Sequence, residues 1–248
     1  MAVDNGGARV VAARAPIDRI GVAVLRELVE TIVSGTIPQG GGFPPEAVLA
    51  QEFGVSRTVI RESMKRLQEK GMVTVAQGRG THVNPMSSWN LLDPLVLAAL
   101  IGHDDDLGIL DDLSVVRGAL ESVMAGAVAT SADEQVVARL RASLDAMRAV
   151  IDDSAAFREA DVKFHQTVME LSDNLLAENV ARVLFERALE STRYHGVDPE
   201  RAFELTMQEH ERVVDAIAAG DRQAARQAME EHILGSWERR RFPTQKRS

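Results

Sequence analysis

The chain of 248 residues contains no cysteine, which removes disulfides, thiolate metal sites and cysteine nucleophiles from consideration. Aromatic residues are scarce at 4%, while alanine, leucine, valine, glutamate and arginine dominate, a balance that favours helix over sheet. No apolar run approaches the roughly 20 residues that span a bilayer. Met1 to Ala15 carries two arginines and small residues but no apolar core of a signal peptide, so the expected location is cytoplasmic, without a membrane partner. Neither an internal repeat, a Gly-rich phosphate loop nor a His-Glu-x-x-His pattern occurs. Apolar residues at 45% are ample for a core. Positive charge is also in deficit, at −9 net, but unevenly. Residues 1–85 hold 10 Lys+Arg against 8 Asp+Glu, and residues 86–248 hold 18 against 29. Phosphate would repel the second part, so any nucleic-acid contact is confined to the first.

What is present is concentrated in Phe43 to Val83. A first helix carries Val48, Leu49 and Phe53, Gly54 permits a positive φ where that helix stops, and Val55 plugs the turn. Ser56 stands where an N-cap is needed. In the helix it opens, Val59, Ile60, Met64 and Leu67 recur at helical spacing and face inward. Arg57, Arg61 and Lys65, spaced by four, line an outer stripe, with Arg66 and Lys70 beside it. After Gly71, Met72–Ala76 and Thr81–Val83 alternate as a small hairpin tipped by Gln77-Gly78-Arg79-Gly80. A basic stripe alone is more often a solvated helix face. Here stripe, turn and basic-tipped wing agree on a winged helix whose second helix suits the DNA major groove.

This stretch resembles the winged-helix domain of the GntR family of bacterial transcription regulators, in the FadR-like subgroup. The likeness rests on Gly35-Thr36-Ile37-Pro38, Phe43-Pro44-Pro45-Glu46, Leu49-Ala50, Gly54-Val55-Ser56-Arg57, Ile60-Arg61-Glu62, Leu67, Gly71 and Gly78-Arg79-Gly80-Thr81. It implies DNA contacts from Ser56, Arg57, Thr58, Arg61, Lys65, Arg79, Gly80, Thr81 and His82. Two positions depart from the family pattern. Pro45 replaces a small capping residue, and Ala47 stands where an arginine commonly touches DNA.

The rest divides by punctuation. Residues 1–16 read as a flexible tail and 17–85 as the winged helix, whose first helix steps through Ile20, Val24, Leu28 and Ile32. Residues 86–105 form a linker with a short apolar helix at 94–101, 106–241 a helical bundle, and 242–248 a tail. Helices are expected at 106–130, 133–151, 154–172, 175–195, 199–219 and 221–241, with Gly220 closing one and Asp221 capping the next. Such short connections make neighbours antiparallel. The fold class is thus mainly α: an N-terminal winged helix-turn-helix, then a C-terminal antiparallel all-α bundle. Trp89 reads as a packing anchor, and Arg239-Arg240-Arg241 with Lys246-Arg247 as a solvated basic end.

Within the bundle, Asp161 and His165 are four apart and share a helix face, while His210 and His232 lie on the last two helices. Such a set suits Zn, Ni, Mn or Fe as divalent ions. Spacing alone does not make those helices converge, and scattered helix histidines are more often plain surface or core residues. The Asp-x-x-x-His step followed by one histidine in each of the last two helices is, however, similar to the ligand set of the all-helical, FCD-type effector domain of FadR-like regulators. The resemblance therefore implies a metal site of Asp161, His165, His210 and His232, with open positions that a small hydroxy acid fills. Arg117 and Glu121 match an Arg-x-x-x-Glu step of that family and are candidate effector contacts, although an intrahelical ion pair explains the spacing equally well. Asn174 matches a turn asparagine of the family, and helix capping also accounts for it.

The resemblance implies a ligand-responsive, homodimeric DNA-binding regulator, a repressor released from its operator by a small carboxylate. The linker Trp89-Asn90-Leu91-Leu92-Asp93-Pro94 resembles that of FadR-like members which respond to sugar acids, a likeness that implies an acid such as gluconate or galactonate. Two other readings remain at this stage: a metal-dependent enzyme using the same Asp/His cluster, which leaves the winged helix unexplained, and a DNA-binding protein whose bundle only dimerises.

Overall fold

The computed structural model describes residues 16–76, 78, 80–190 and 201–241. These form two compact units, split between Ala99 and Leu100. In the first, α1 (Pro16–Val33), α2 (Glu46–Glu52) and α3 (Arg57–Glu69) pack beside a hairpin of β1 (Val73–Ala76) and β2 (Gly80–Val83). The strands are antiparallel, with Val73 opposite Val83 and Thr74 opposite His82. Val24, Leu25, Leu28, Val29 and Ile32 of α1 meet Ile60, Met64 and Leu67 of α3 in a common core. Two expected core positions are outside it. Ile20 and Val48 are 48% and 42% exposed, while their neighbours Val24 and Leu49 are buried.

The turn between α2 and α3 follows local chemistry. Gly54 takes φ +63, a conformation costly for side chains with a Cβ. The Ser56 hydroxyl then accepts a hydrogen bond from Val59 N at 3.3 Å. Gly71, at φ +73, ends α3 where a Cβ would lie 2.1 Å from the Ser88 carbonyl oxygen, so glycine is needed twice over. The segment after the wing is held to this unit. Trp89 is buried, and its indole N–H donates to the Asn84 carbonyl at 3.0 Å. Asn90 N donates to Lys70 O at 2.8 Å, and the Lys70 ammonium pairs with Asp93. A 3-10 turn at Met86–Ser88 precedes α4 (Pro94–His103).

The second unit contains α5 (Gly108–Ser131), α6 (Glu134–Arg148), α7 (Ser154–Leu171), α8 (Leu175–Glu190), α9 (Ala202–Ala218) and α10 (Arg222–Arg241). The expected helices end within a few residues of these, except that 191–200, including His195 and parts of two expected spans, lie outside the described residues. Asp133, Asp153 and Asp221 cap α6, α7 and α10, and Gly220 takes φ +69 after α9. The central helix is α5, which packs most extensively against α10. At Gly126 a Cβ would come within 2.5 Å of the Arg226 side chain, which sets how closely those two helices run. Contrary to the reading of short apolar runs, α5 is long and apolar enough by composition to cross a membrane, and 61% of its apolar window is buried inside the bundle. The main core joins α5, α6, α7, α9 and α10 through residues such as Val128, Leu140, Phe157, Phe164, Val213, Ile217 and Met229.

Candidate functional site

The structure places the expected DNA-contacting residues on one unit, and in different surroundings. Ser56, Arg57, Thr58, Arg61 and Lys65 are exposed at the start and along the outer side of α3. Gly80 is exposed and Thr81 and His82 are half-buried on β2, while Arg79 lies outside the described residues. Arg61 is not an isolated cation: its Nε and Nη2 both donate to Glu46 Oε2, at 3.3 and 3.2 Å, across the helix-turn-helix. Lys70 drops out of the basic stripe, since Asp93 holds its ammonium.

In the second unit Asp161 and His165 of α7, His210 of α9 and His232 of α10 converge, with one donor atom from each lying within 4.8 Å of the others. His165, His210 and His232 are 2%, 0% and 3% exposed. Their Nε2 atoms face one another, His232 to His210 at 3.0 Å and His232 to His165 at 3.2 Å. Asp161 Oδ1 lies 3.6 Å from His210 Nε2 and 4.0 Å from His165 Nε2. Phe164 stacks on the His210 ring at 4.0 Å between centroids and closes that side.

The opposite ring nitrogens explain why these faces matter. His165 Nδ1 lies 2.6 Å from Glu121 Oε2, and His232 Nδ1 lies 2.9 Å from Glu209 Oε2. Burial raises the Glu121 pKa, but the Arg117 charge, then His165 and their hydrogen bonds, outweigh it and hold the carboxyl down at about 2. At Glu209 burial is likewise overcome, by hydrogen bonds from His232 and Arg239, so that carboxyl is also lowered. Both carboxylates are acceptors only, which puts the imidazole protons on Nδ1 and leaves bare lone pairs on Nε2. Burial, followed by the charges of His232 and His165, pushes His210 well below its ordinary value. Burial also lowers His232, against the pull of Glu209. Three imidazole Nε2 atoms that converge with a carboxylate oxygen on one point can share a divalent cation there. Asp161 Oδ1, at that point, is buried with no hydrogen-bond partner; so is His210 Nδ1, on the far side of its ring. The donor set therefore fits a divalent metal ion, with carboxylates orienting two of its histidines.

Each orienting carboxylate is backed by an arginine. Arg117 Nε donates to Glu121 Oε1 at 2.9 Å, and its guanidinium carbon lies 3.7 Å from the Phe185 ring centroid. Arg239 donates twice to Glu209, at 2.8 Å each. Glu121 was expected beside an effector, yet both of its oxygens are engaged, by Arg117 and His165. Asn174 is exposed and accepts from Ala177 N at 3.2 Å, capping α8. Reading the sequence missed Glu209 and Arg239. Adjacent helix positions diverge from one another, so Glu209 does not serve its neighbour His210, and it turns instead to a histidine on another helix. Arg239, read as part of a solvated basic end, lies seven residues from His232 on the same face of α10, the only periodic signal available for it.

Comparison with known proteins agrees with both halves of this description. Residues 21–83 match the family described as bacterial regulatory proteins, gntR family, and residues 112–235 match the FCD domain. The galactonate operon transcriptional repressor of Escherichia coli is 32% identical over 90% of this chain and 95% of its own length. The HTH-type transcriptional regulator LutR of Bacillus subtilis is 28% identical over 82% and 92%. The HTH-type transcriptional repressor NanR of Cronobacter sakazakii is 27% identical over 89% and 86%. Among solved structures, Lar, which controls expression of the Listeria monocytogenes agr system, shares the fold at a TM-score of 0.57 and 18% identity, over 91% of this chain and 97% of its own. The molecule is a DNA-binding transcription regulator and not an enzyme. It belongs to the gntR family of bacterial regulatory proteins, with an FCD domain as its helical bundle.

Proposed function

We propose that this regulator is a homodimeric repressor that leaves its operator when a small carboxylate, of the sugar-acid class, binds beside a divalent metal ion held by Asp161, His165, His210 and His232. The observation that carries the reading is the meeting of three buried imidazole Nε2 atoms and a partnerless carboxylate oxygen at one point. A zinc, nickel, manganese or iron ion bound there supplies Lewis acidity toward a carboxylate and an adjacent hydroxyl. The chain's own residues do the rest. Glu121 and Glu209 fix the tautomers of His165 and His232, Phe164 keeps the His210 ring in plane, and Arg117 holds Glu121 ionised. Arg117 is the candidate cation for the effector's carboxylate; Glu121 serves the histidine instead, and Asn174 serves the cap. The similarity to a galactonate operon repressor favours a sugar acid over other carboxylates.

On the DNA side we assign reading to residues 17–85. Arg57, Arg61 and Lys65 face the major groove from α3, and Ser56, Thr58, Gly80, Thr81 and His82, with Arg79 of the wing, lie against the backbone and minor groove. A second copy of the chain supplies the other half-site. Val115, Val116 and Val123 stand exposed along α5 at 60%, 43% and 39%, an apolar strip fit for that second copy. The test is an electrophoretic shift using duplexes from upstream of the gene and its neighbours, repeated with zinc and a panel of sugar acids. A band that one acid dissolves in the presence of metal is expected. A specific shift that no acid alters would leave the winged helix as read and sink the effector assignment.

A further inference from the structure

The end of α10 carries contacts beyond the four metal-ligand candidates and outside the DNA-reading unit. His232 lies in the middle of that helix, and Arg239 follows two turns later on the same face. Glu209 of α9 receives both, His232 Nδ1 on Oε2 at 2.9 Å and the two Arg239 terminal nitrogens at 2.8 Å. The same two turns of α10 also grip the start of α5. Trp237 Nε1 donates to Asp111 Oδ1 at 2.7 Å, Arg241 pairs with Asp111 Oδ2, and Arg241 Nη2 donates to the Asp106 carbonyl at 3.1 Å. The segment so held is the one through which the chain passes from α4 into the bundle. Within it Leu107 has φ +61, a left-handed conformation that a branched, Cβ-bearing residue adopts only where its surroundings impose it. The Asp104 carboxylate accepts from Ile109 N at 2.5 Å and fixes the other side of the bend.

We propose that Glu209 and Arg239 are positioning residues of the metal centre, and that the last two turns of α10 form a strut coupling metal occupancy to residues 104–108. The strut rests on the metal reading above. An ion drawing on His232 Nε2 fixes the imidazole, which fixes Glu209. Glu209 then locks the two-pronged Arg239 and with it the turn bearing Trp237 and Arg241. Without the ion nothing holds His232 Nε2 in place, and the ring is free to turn, which loosens the same chain of contacts. Metal sites elsewhere in proteins lose roughly 10–100-fold in affinity when a carboxylate orienting a ligand is removed, so the arrangement predicts a measurable cost at both ends.

The experiment uses the full-length protein with zinc as the probe, following amide hydrogen exchange by mass spectrometry and zinc affinity by competition with a chromophoric chelator. In the wild type, zinc is expected to slow exchange at the helices bearing His165 and His210 and also at 104–108 and 236–241. Arg239→Gln should lower zinc affinity about tenfold and abolish the zinc effect at 104–108, with Arg239→Lys intermediate because a single ammonium does not span both carboxylate oxygens. Asp111→Asn should cut the far end, leaving zinc affinity at the wild-type value and removing the protection at 104–108. A purely structural role for these residues would move zinc affinity and protection together in both variants, and that outcome overturns the strut. So does zinc-dependent protection at 104–108 that persists in Arg239→Gln. If that variant does not fold, Asp111→Asn and Glu209→Gln decide the matter. If zinc alters exchange nowhere in the wild type, the metal reading itself fails and the strut falls with it.

Discussion

In the first unit the arginines of α3 stand in solvent, Arg61 with its side chain 70% exposed. In the second, Arg117 is 3% exposed and ends in a carboxylate that ends in a histidine. The two units carry cationic side chains of the same kind, and the difference lies in what water is allowed to do. A surface guanidinium keeps its hydration until a phosphate or base edge replaces it, so its contribution appears on binding and is sensitive to salt. A buried guanidinium has lost that water on folding, and it is tolerable only because a carboxylate compensates it. The winged helix therefore holds donors that water still solvates, whereas the buried arginine of the bundle is already paired, and the carboxylate oxygen of Asp161 where the imidazoles meet has no hydrogen-bond partner.

The comparison breaks first at the metal. Zinc at about a thousand times its dissociation constant should stabilise the bundle by about 4 kcal/mol through mass action, and a chelator should remove that. His210→Ala should abolish the zinc-dependent rise in Tm seen by calorimetry while leaving affinity for random duplex DNA in metal-free buffer unchanged. A zinc shift that survives in this variant would show that the buried cluster is not a metal centre.

The next effect is on the other side. Arg61→Ala should cost about 1–3 kcal/mol of operator discrimination, the range for one good arginine contact to a base, measured as the ratio of specific to random duplex affinity. Its zinc-dependent stabilisation should match the wild type, because no bundle contact is touched. Smaller again is Ser56→Ala, which removes the acceptor for Val59 N and should destabilise the first unit by about 1 kcal/mol without moving the zinc response. A change in the bundle's zinc response in either variant would mean that the two networks are not separate.

The same contrast explains what could be read from the chain beforehand. The Ser56 cap, the glycines at 54, 71 and 220 and the period of α3 are local, because each is decided within a turn or two of chain, and all are as the sequence implies. Exposure of Ile20 and Val48 is decided instead by which neighbour arrives, as is the loss of Lys70 to Asp93, 23 residues away. The bundle site is almost wholly of this second kind. Arg117 and Glu121 are four apart and suggested an ion pair, but Glu121 meets His165 across 44 residues and Glu209 meets Arg239 across 30. The four clustered residues were found by likeness to a family ligand set, since spacing alone placed only Asp161 and His165 on a common face.

Glu46 gives the smallest effect and the sharpest one. Its carboxylate accepts twice from Arg61 at the surface, with side chains 40% and 70% exposed, so as an exposed ion pair it should be worth less than about 1 kcal/mol to folding. Near DNA its meaning changes, for it places a negative charge beside phosphates and restrains the one arginine that faces them from mid-helix. Restraint favours a single geometry, and hence the cognate base. Glu46→Gln relaxes that restraint and removes the repulsion. Stability should then barely change, random duplex should bind several-fold more tightly, and the ratio of specific to random affinity should fall. Titrations at two salt concentrations separate these terms, because lost repulsion fades with salt while lost restraint does not. A specificity ratio unchanged at both salts would mean that Arg61 reads phosphate alone, and that its pairing with Glu46 does not fix a base-reading geometry.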